Sequence, residues 1–254
     1  MLSIIFFVVT FNTINAHAQA EEDSLKALIS QHRVDTIQVR ALIALAELQI
    51  RFDSAIMYAE EGLQKAQDLN YKEGEADCYF VLAKINVKES NISPAIQYSL
   101  NALTLYEDLR DIPSLVGAHL ILQGSYREAA DFRNALAHAM AGAQIAAANN
   151  VVDKKGIFPD HRLAPLLLAE IGQTYLLLEQ LDSALIYTEK SIAQKELFNG
   201  AVWNFPVYVL ATIQNLKGQY QPALKNYRLS LSLAVQNKLA WDTLQIQSGM
   251  STLF

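Results

Sequence analysis

Five alanines, Ala55, Ala95, Ala135, Ala184 and Ala223, recur at intervals of 40, 40, 49 and 39 residues. Each sits in the second half of a helical cassette, best seen from Leu168 to Ile192. There Leu168, Ile171, Gly172 and Tyr175 share one helical face, and Leu181, Ala184, Leu185 and Tyr187 open a second face beyond a break at Glu179–Asp182. Gly172 and Ala184 are small residues twelve apart, placed where two antiparallel helices approach most closely. Large side chains there would force the helices apart. A period near 40 residues in a helical pattern is the signature of stacked helix pairs, a solenoid in which each pair buries its apolar face on its neighbours.

The copies differ in strength. Tyr79, Leu82 and Ala83 precede Pro94-Ala95-Ile96, and Val207, Leu210 and Ala211 precede Gly218-Gln219-Tyr220, Ala223-Leu224 and Tyr227. A fainter copy runs from His119 and Leu122 through Tyr126, Asp131-Phe132 and Ala135 to Ala139 and Gly142. Another runs from Leu42 and Leu45 through Phe52-Asp53 to Ala55-Ile56, Ala59 and Gly62. Gln247, Met250-Ser251 and Phe254 take the large, Leu-Gly and Tyr places of a sixth, so the repeat array is expected to run on past the end of this sequence.

Together these residues resemble the tetratricopeptide repeat family over roughly 36–254. The resemblance implies an all-α fold, a right-handed solenoid of about five antiparallel helix pairs plus a partial sixth. The spacing exceeds the family's roughly 34 residues, which implies longer helices, and the first copy lacks a glycine turn. Ahead of the repeats, Leu25, Leu28 and Ile29 lie at helical spacing and predict a capping helix within residues 21–35. Asp23-Ser24-Leu25, Asp35-Thr36 and Val39-Arg40 are similar to the exported N-terminal part of tetratricopeptide-repeat sensor histidine kinases of Bacteroidetes-type bacteria.

The first twenty residues read as a secretory signal. Leu2 to Phe11 is apolar apart from Ser3 and Thr10, and Ala18-Gln19-Ala20 supplies an A-x-A site, so cleavage is expected after Ala20 and the product in the periplasm. The apolar run is shorter than the roughly 20 residues a membrane span needs, and no Lys or Arg precedes it. The rest suits long helices and short loops, with 52% hydrophobic residues but only 10 Gly and 6 Pro. A net charge of −6 without a basic run argues against nucleic acid as a partner. The single cysteine, Cys78, lies beside Val81 and Leu82 and reads as a packed thiol.

Motifs for catalysis or metal binding are absent from the sequence: no H-E-x-x-H, no Gly-rich phosphate loop, no G-x-S-x-G. The expectation is a non-enzyme with no cofactor and no metal. His17, His32, His119, His138 and His161 stand apart in sequence; His119 takes a large-residue packing place and His138 an edge. Asp160-His161 offers too few ligands for a metal. Glu60-Glu61 and Glu196 belong to solvated faces, and Tyr126, Tyr175 and Tyr220 read as inter-helix packing residues. Val151–Arg162 is a turn-rich insertion that accounts for the 49-residue interval.

The function expected is non-catalytic binding of a protein or peptide, in an exported sensory or interaction region of a signal-transduction protein. The alternatives are a freestanding periplasmic adaptor, or a cytosolic peptide-sensing regulator if the first twenty residues are not a signal. By the resemblance, the first helix of each pair lines a concave groove. That places Phe80, Lys84, Leu120, Arg127, Glu170, Gln173, Tyr208, Thr212 and Asn215 on the binding face. The family's carboxylate clamp is not expected, because Phe80, Ala169, Tyr208, Gly124 and Thr212 occupy its places and only Lys84 is basic.

Overall fold

A computed structural model describes residues 20–30, 35–49, 51–151, 163–194, 204–236 and 240–252. The described residues are helices and short turns. A first helix, α1, covers residues 20–30, and the rest follow as α2 (Thr36–Leu48), α3 (Phe52–Asp68), α4 (Lys72–Lys88), α5 (Ile92–Leu109), α6 (Ile112–Glu128), α7 (Phe132–Asn149), α8 (Leu163–Leu177), α9 (Leu181–Ala193), α10 (Asn204–Leu216), α11 (Tyr220–Gln236) and α12 (Ala240–Ser251). The chain divides into two compact units, Met1–Arg110 and Asp111–Phe254. Each contains whole helix pairs: α2/α3 and α4/α5 in the first, α6/α7, α8/α9 and α10/α11 in the second, where α12 also packs on α11. The expected signal segment, all of the 151–162 insertion apart from Val151 itself, and also His32, His161 and Glu196 lie outside the described residues.

The alanine period has a local cause. The backbone N–H groups of Ala55, Ala95, Ala135, Ala184 and Ala223 donate to the carbonyls of Arg51, Asn91, Asp131, Gln180 and Gln219, closing the first turn of each second helix. All five are at most 3% exposed. Five residues before four of them stands a left-handed residue: Ser90 (φ 58°), Ala130 (φ 57°), Glu179 (φ 59°) and Gly218 (φ 73°). In each case that residue's N–H bonds three residues back, and the next N–H bonds five back, as Glu179 to Leu176 and Gln180 to Tyr175. These paired bonds satisfy the carbonyls a helix end leaves open.

Several helices of 17 or 18 residues (α3 to α7) absorb the long period, as the spacing implied. Asp35 caps α2 by accepting from the Ile37 and Gln38 amides at 3.1 Å, and Asp131 caps α7 through Asn134. The first helix touches the repeats where Gln38 Nε2 donates to the Ile29 carbonyl at 2.6 Å, with Leu28 37% exposed.

Helix pairs close on small residues. A Cβ on Gly172 would fall 2.4 Å from Thr188 Oγ1 and 3.2 Å from the Ala184 carbonyl, so the approach expected at Gly172 and Ala184 is real. Buried serines repeat a second tie. Ser191 Oγ donates to the Pro165 carbonyl at 2.7 Å, and Ser230 Oγ to the Asn204 carbonyl at 2.8 Å. Each joins a second helix to the opening turn of its own first helix, pairing a buried hydroxyl with a backbone carbonyl.

Candidate functional site

The first helices place the nine candidate residues very differently. In the first unit Phe80 is 3% exposed and meets the Tyr106 ring edge-on, with centroids 6.0 Å apart. It is a core residue and presents no face to a partner, which corrects its assignment to the groove. Lys84 remains at the surface but is already paired, its Nζ 2.7 Å from Glu47 Oε1 across α2 and α4.

In the second unit Leu120 is also buried, 6% exposed among Val116, Ala139 and Leu163, and is corrected in the same way. Arg127 on α6 forms a tight ion pair with Glu170 on α8, and Gln123 Nε2 donates to the same carboxylate oxygen at 3.3 Å. Gln173 is half-buried three residues along α8. Lys84 and Arg127 are therefore each neutralised by a neighbouring helix's carboxylate. Such pairing leaves little field for capturing a free carboxylate.

Tyr208, Thr212 and Asn215 come together. They form the α10 wall of an open cavity of about 680 Å³, with Leu216 at its edge, Tyr220 and Tyr227 from α11, and Gln245, Ser248, Gly249 and Thr252 from α12. That volume lies within the roughly 300–1,000 Å³ of ordinary ligand pockets. Its polar groups are tied to one another: Tyr227 Oη donates to Thr212 Oγ1 at 3.2 Å, and Asn215 Nδ2 to Thr252 Oγ1 at 2.8 Å. Burial raises the Tyr227 phenol pKa, so its proton is held. Tyr220, expected to pack between helices, is instead 59% exposed at the cavity rim, where it is the first residue of α11.

Sequence reasoning missed a histidine pair. His119 on α6 and His138 on α7 bring their Nδ1 atoms to 3.1 Å, with Tyr126 stacked on His138 at 5.5 Å. Burial and the neighbouring His138 lower His119 to about 4, and burial lowers His138 as well, so both are neutral near pH 7 and one Nδ1–H donates to the other ring. The signal was available. Tyr79 and Tyr98 occupy the same two places one repeat earlier, nineteen residues apart like the histidines, with rings 6.2 Å apart. Among the described residues no group of three or more His, Cys, Asp or Glu is arranged to hold a metal. Cys78 is fully buried and its thiol is pushed up to about 12 by burial, then by Asp77 and Glu75, so it is an unreactive core group.

No protein-family model matches the sequence, and no curated protein matches it. Solved structures do. The chain is similar to BtubC (BKLC) from P. vanneervenii, with 16% identity, a TM-score of 0.70, and coverage of 88% of this chain and 91% of that one. It is similar to a signal transduction ATPase with a tetratricopeptide repeat sensor from Pyrococcus horikoshii, at 14% identity and a TM-score of 0.70, over 96% of this chain and 36% of that one. NprR, solved in complex with its cognate peptide NprX, matches at 16% identity and a TM-score of 0.61, over 91% of this chain and 65% of that one. At these identities the likeness speaks for architecture: the chain has an all-α helical-repeat fold of the tetratricopeptide type.

Proposed function

We propose that this protein is a non-catalytic scaffold that binds a peptide or a segment of another protein on the exposed face of its first helices. The observation that carries the reading is the α10–α11–α12 cavity, where three residues expected on the binding face converge on an open, aromatic and hydrogen-bonding surface. Shallow mixed surfaces of this kind suit extended segments held by a few side-chain anchors. Similarity in fold to NprR, which was solved with a peptide, supports the same reading. Peptides selected by display against the purified protein should protect amides of α10 and α12 from exchange. Protection confined to the second helices α9 and α11 would overturn it.

The proposal extends to context: an exported sensory or interaction region of a signal-transduction protein. It rests on the apolar run and A-x-A site before Glu21, and on the short likeness at Asp23-Ser24-Leu25 and Val39-Arg40. Expressed in a bacterium with its own N-terminus, the protein should be recovered outside the cytoplasm beginning at Glu21. An intact Met1 in the cytosol would favour a cytosolic peptide-sensing regulator. Reading the gene beyond Phe254 separates the sensor, which requires a transmembrane segment and a kinase or DNA-binding module there, from a freestanding adaptor.

A further inference from the structure

The cavity is built by an exchange of volume between two helices. In α4, α6, α8 and α10, the first helices that follow an earlier helix pair, the residue preceding the repeat's Leu or Ile is Val81, Ile121, Glu170 and Val209, all large side chains at least largely buried; in α2, which opens the array, it is Ala41. In α12 the same place, before Met250, is Gly249. In the second helices, the residue four after the marker alanine is Ala59, Ser99, Ala139 and Thr188, each 0% exposed, but in α11 it is Tyr227. The missing side chain and the added ring face each other. A Cβ on Gly249 would fall 3.0 Å from Tyr227 Cε1, 3.2 Å from Tyr227 Oη and 3.2 Å from Tyr208 Cε2. The phenol thus reaches the floor of the first-helix face, where its hydroxyl meets Thr212.

Charge marks the same place. The first-helix faces elsewhere carry the ion pairs Lys84–Glu47 and Arg127–Glu170. None of the ten residues lining the cavity is Asp, Glu, Lys, Arg or His. A charged group entering it would lose hydration and find no counter-charge, whereas an aromatic ring can take an offset or edge-on place against Tyr208 and Tyr220. The exposed Gln245 amide and Ser248 hydroxyl serve a neutral polar group beside the ring.

We infer that this cavity is the anchor subsite for an uncharged, aromatic-bearing segment of a peptide ligand, and that it selects by refusing charged anchors. The inference rests on the peptide-binding reading above and adds the class of anchor.

The test uses the 254-residue protein labelled with ¹⁵N, titrated with N-acetyl-tyrosinamide, N-acetyl-4-carboxyphenylalaninamide and N-acetylglutaminamide. N-acetyl-tyrosinamide should give saturable shifts at the amides of Thr212, Gly249 and Thr252, and the other two probes should bind at least tenfold more weakly. Tyr227→Ala with Gly249→Val recreates the Ala59/Val81 combination found packed in the first unit; it should lose the tyrosinamide response tenfold or more. Because that variant alters a core, Gln245→Lys is made on the exposed face of α12 and should reverse the preference toward the carboxylate probe. Equal binding of tyrosinamide and carboxyphenylalaninamide, no saturable shift at Gly249, or no reversal in Gln245→Lys overturns the subsite. If display-selected peptides still protect α10 and α12, the scaffold reading survives that result; if they protect neither helix, the scaffold reading itself falls.

Discussion

Adding one methyl group at Gly172 tests the packing logic of the repeat. Within a helix, Gly→Ala stabilises by about 1 kcal/mol through backbone propensity alone. Here the new Cβ would meet Thr188 Oγ1 at 2.4 Å, too close without movement, with the Ala184 carbonyl and the Thr188 amide behind it at 3.2 Å. Thr188 is 0% exposed and its hydroxyl is fixed on the Ala184 carbonyl at 2.7 Å, so it has nowhere to yield. Overpacking of this kind costs about 1–3 kcal/mol, and Gly172→Ala is expected to be destabilising by up to about 2 kcal/mol once the propensity gain is subtracted. Thr188→Ala removes the obstructing atom, and the Ala184 carbonyl keeps its helical bond. The double variant should therefore lose less than the two single variants added together, with a coupling of about 1–3 kcal/mol between the sites. Urea midpoints followed by far-UV circular dichroism measure the cycle, and amide exchange should place the single variant's loss in α8 and α9. If the two single effects add to the double within about 0.5 kcal/mol, the two side chains do not meet and the helix-pair register is wrong.

Three further outcomes follow from the same structure. His119 and His138 are depressed in the folded protein, so the unfolded chain binds more protons between the ordinary histidine value of 6.5 and about 4; stability is full above pH 6.5 and should fall by on the order of 3 kcal/mol toward pH 4. That acid loss should shrink in His119→Leu, as followed by urea melts at pH 7 and pH 4.5. Ala130→Gly and Glu179→Gly relieve left-handed residues at φ 57° and 59° and should each stabilise by about 0.5–1 kcal/mol, read as a raised urea midpoint; a fall at either would mean the turn is held differently. Cys78 should resist a thiol reagent in the native protein and label at the rate of unfolding; fast labelling under native conditions would contradict its burial.

The helix pairs were legible because backbone contact admits only small residues, and Gly172, Ala184 and the five marker alanines announce that constraint directly. The turns were legible only in part. Gly218 advertises its left-handed backbone, whereas Ser90, Ala130 and Glu179 adopt the same geometry under the paired end-of-helix bonds. The binding face was harder, and Phe80 and Leu120 show why. A first helix is covered on several sides at once: α8 alone packs against α6, α7, α9 and α10. A periodic apolar stripe does not reveal which flank stays open under such packing. Tyr208, Thr212 and Asn215 were placed together because α10 presents them one turn apart, but the hollow beside them depends on Gly249 and Tyr227, which only matter as a pair across two helices.

The serine ties also bear on how the chain reaches its native state. Ser191 and Ser230 bond carbonyls only 26 residues earlier, and each helix pair closes on a partner that has just been made. Contacts of short sequence separation cost little loop entropy and form quickly. A chain threading out of a ribosomal exit tunnel or a membrane pore could thus fold behind the pore one hairpin at a time, each finished pair offering its flank as a template for the next.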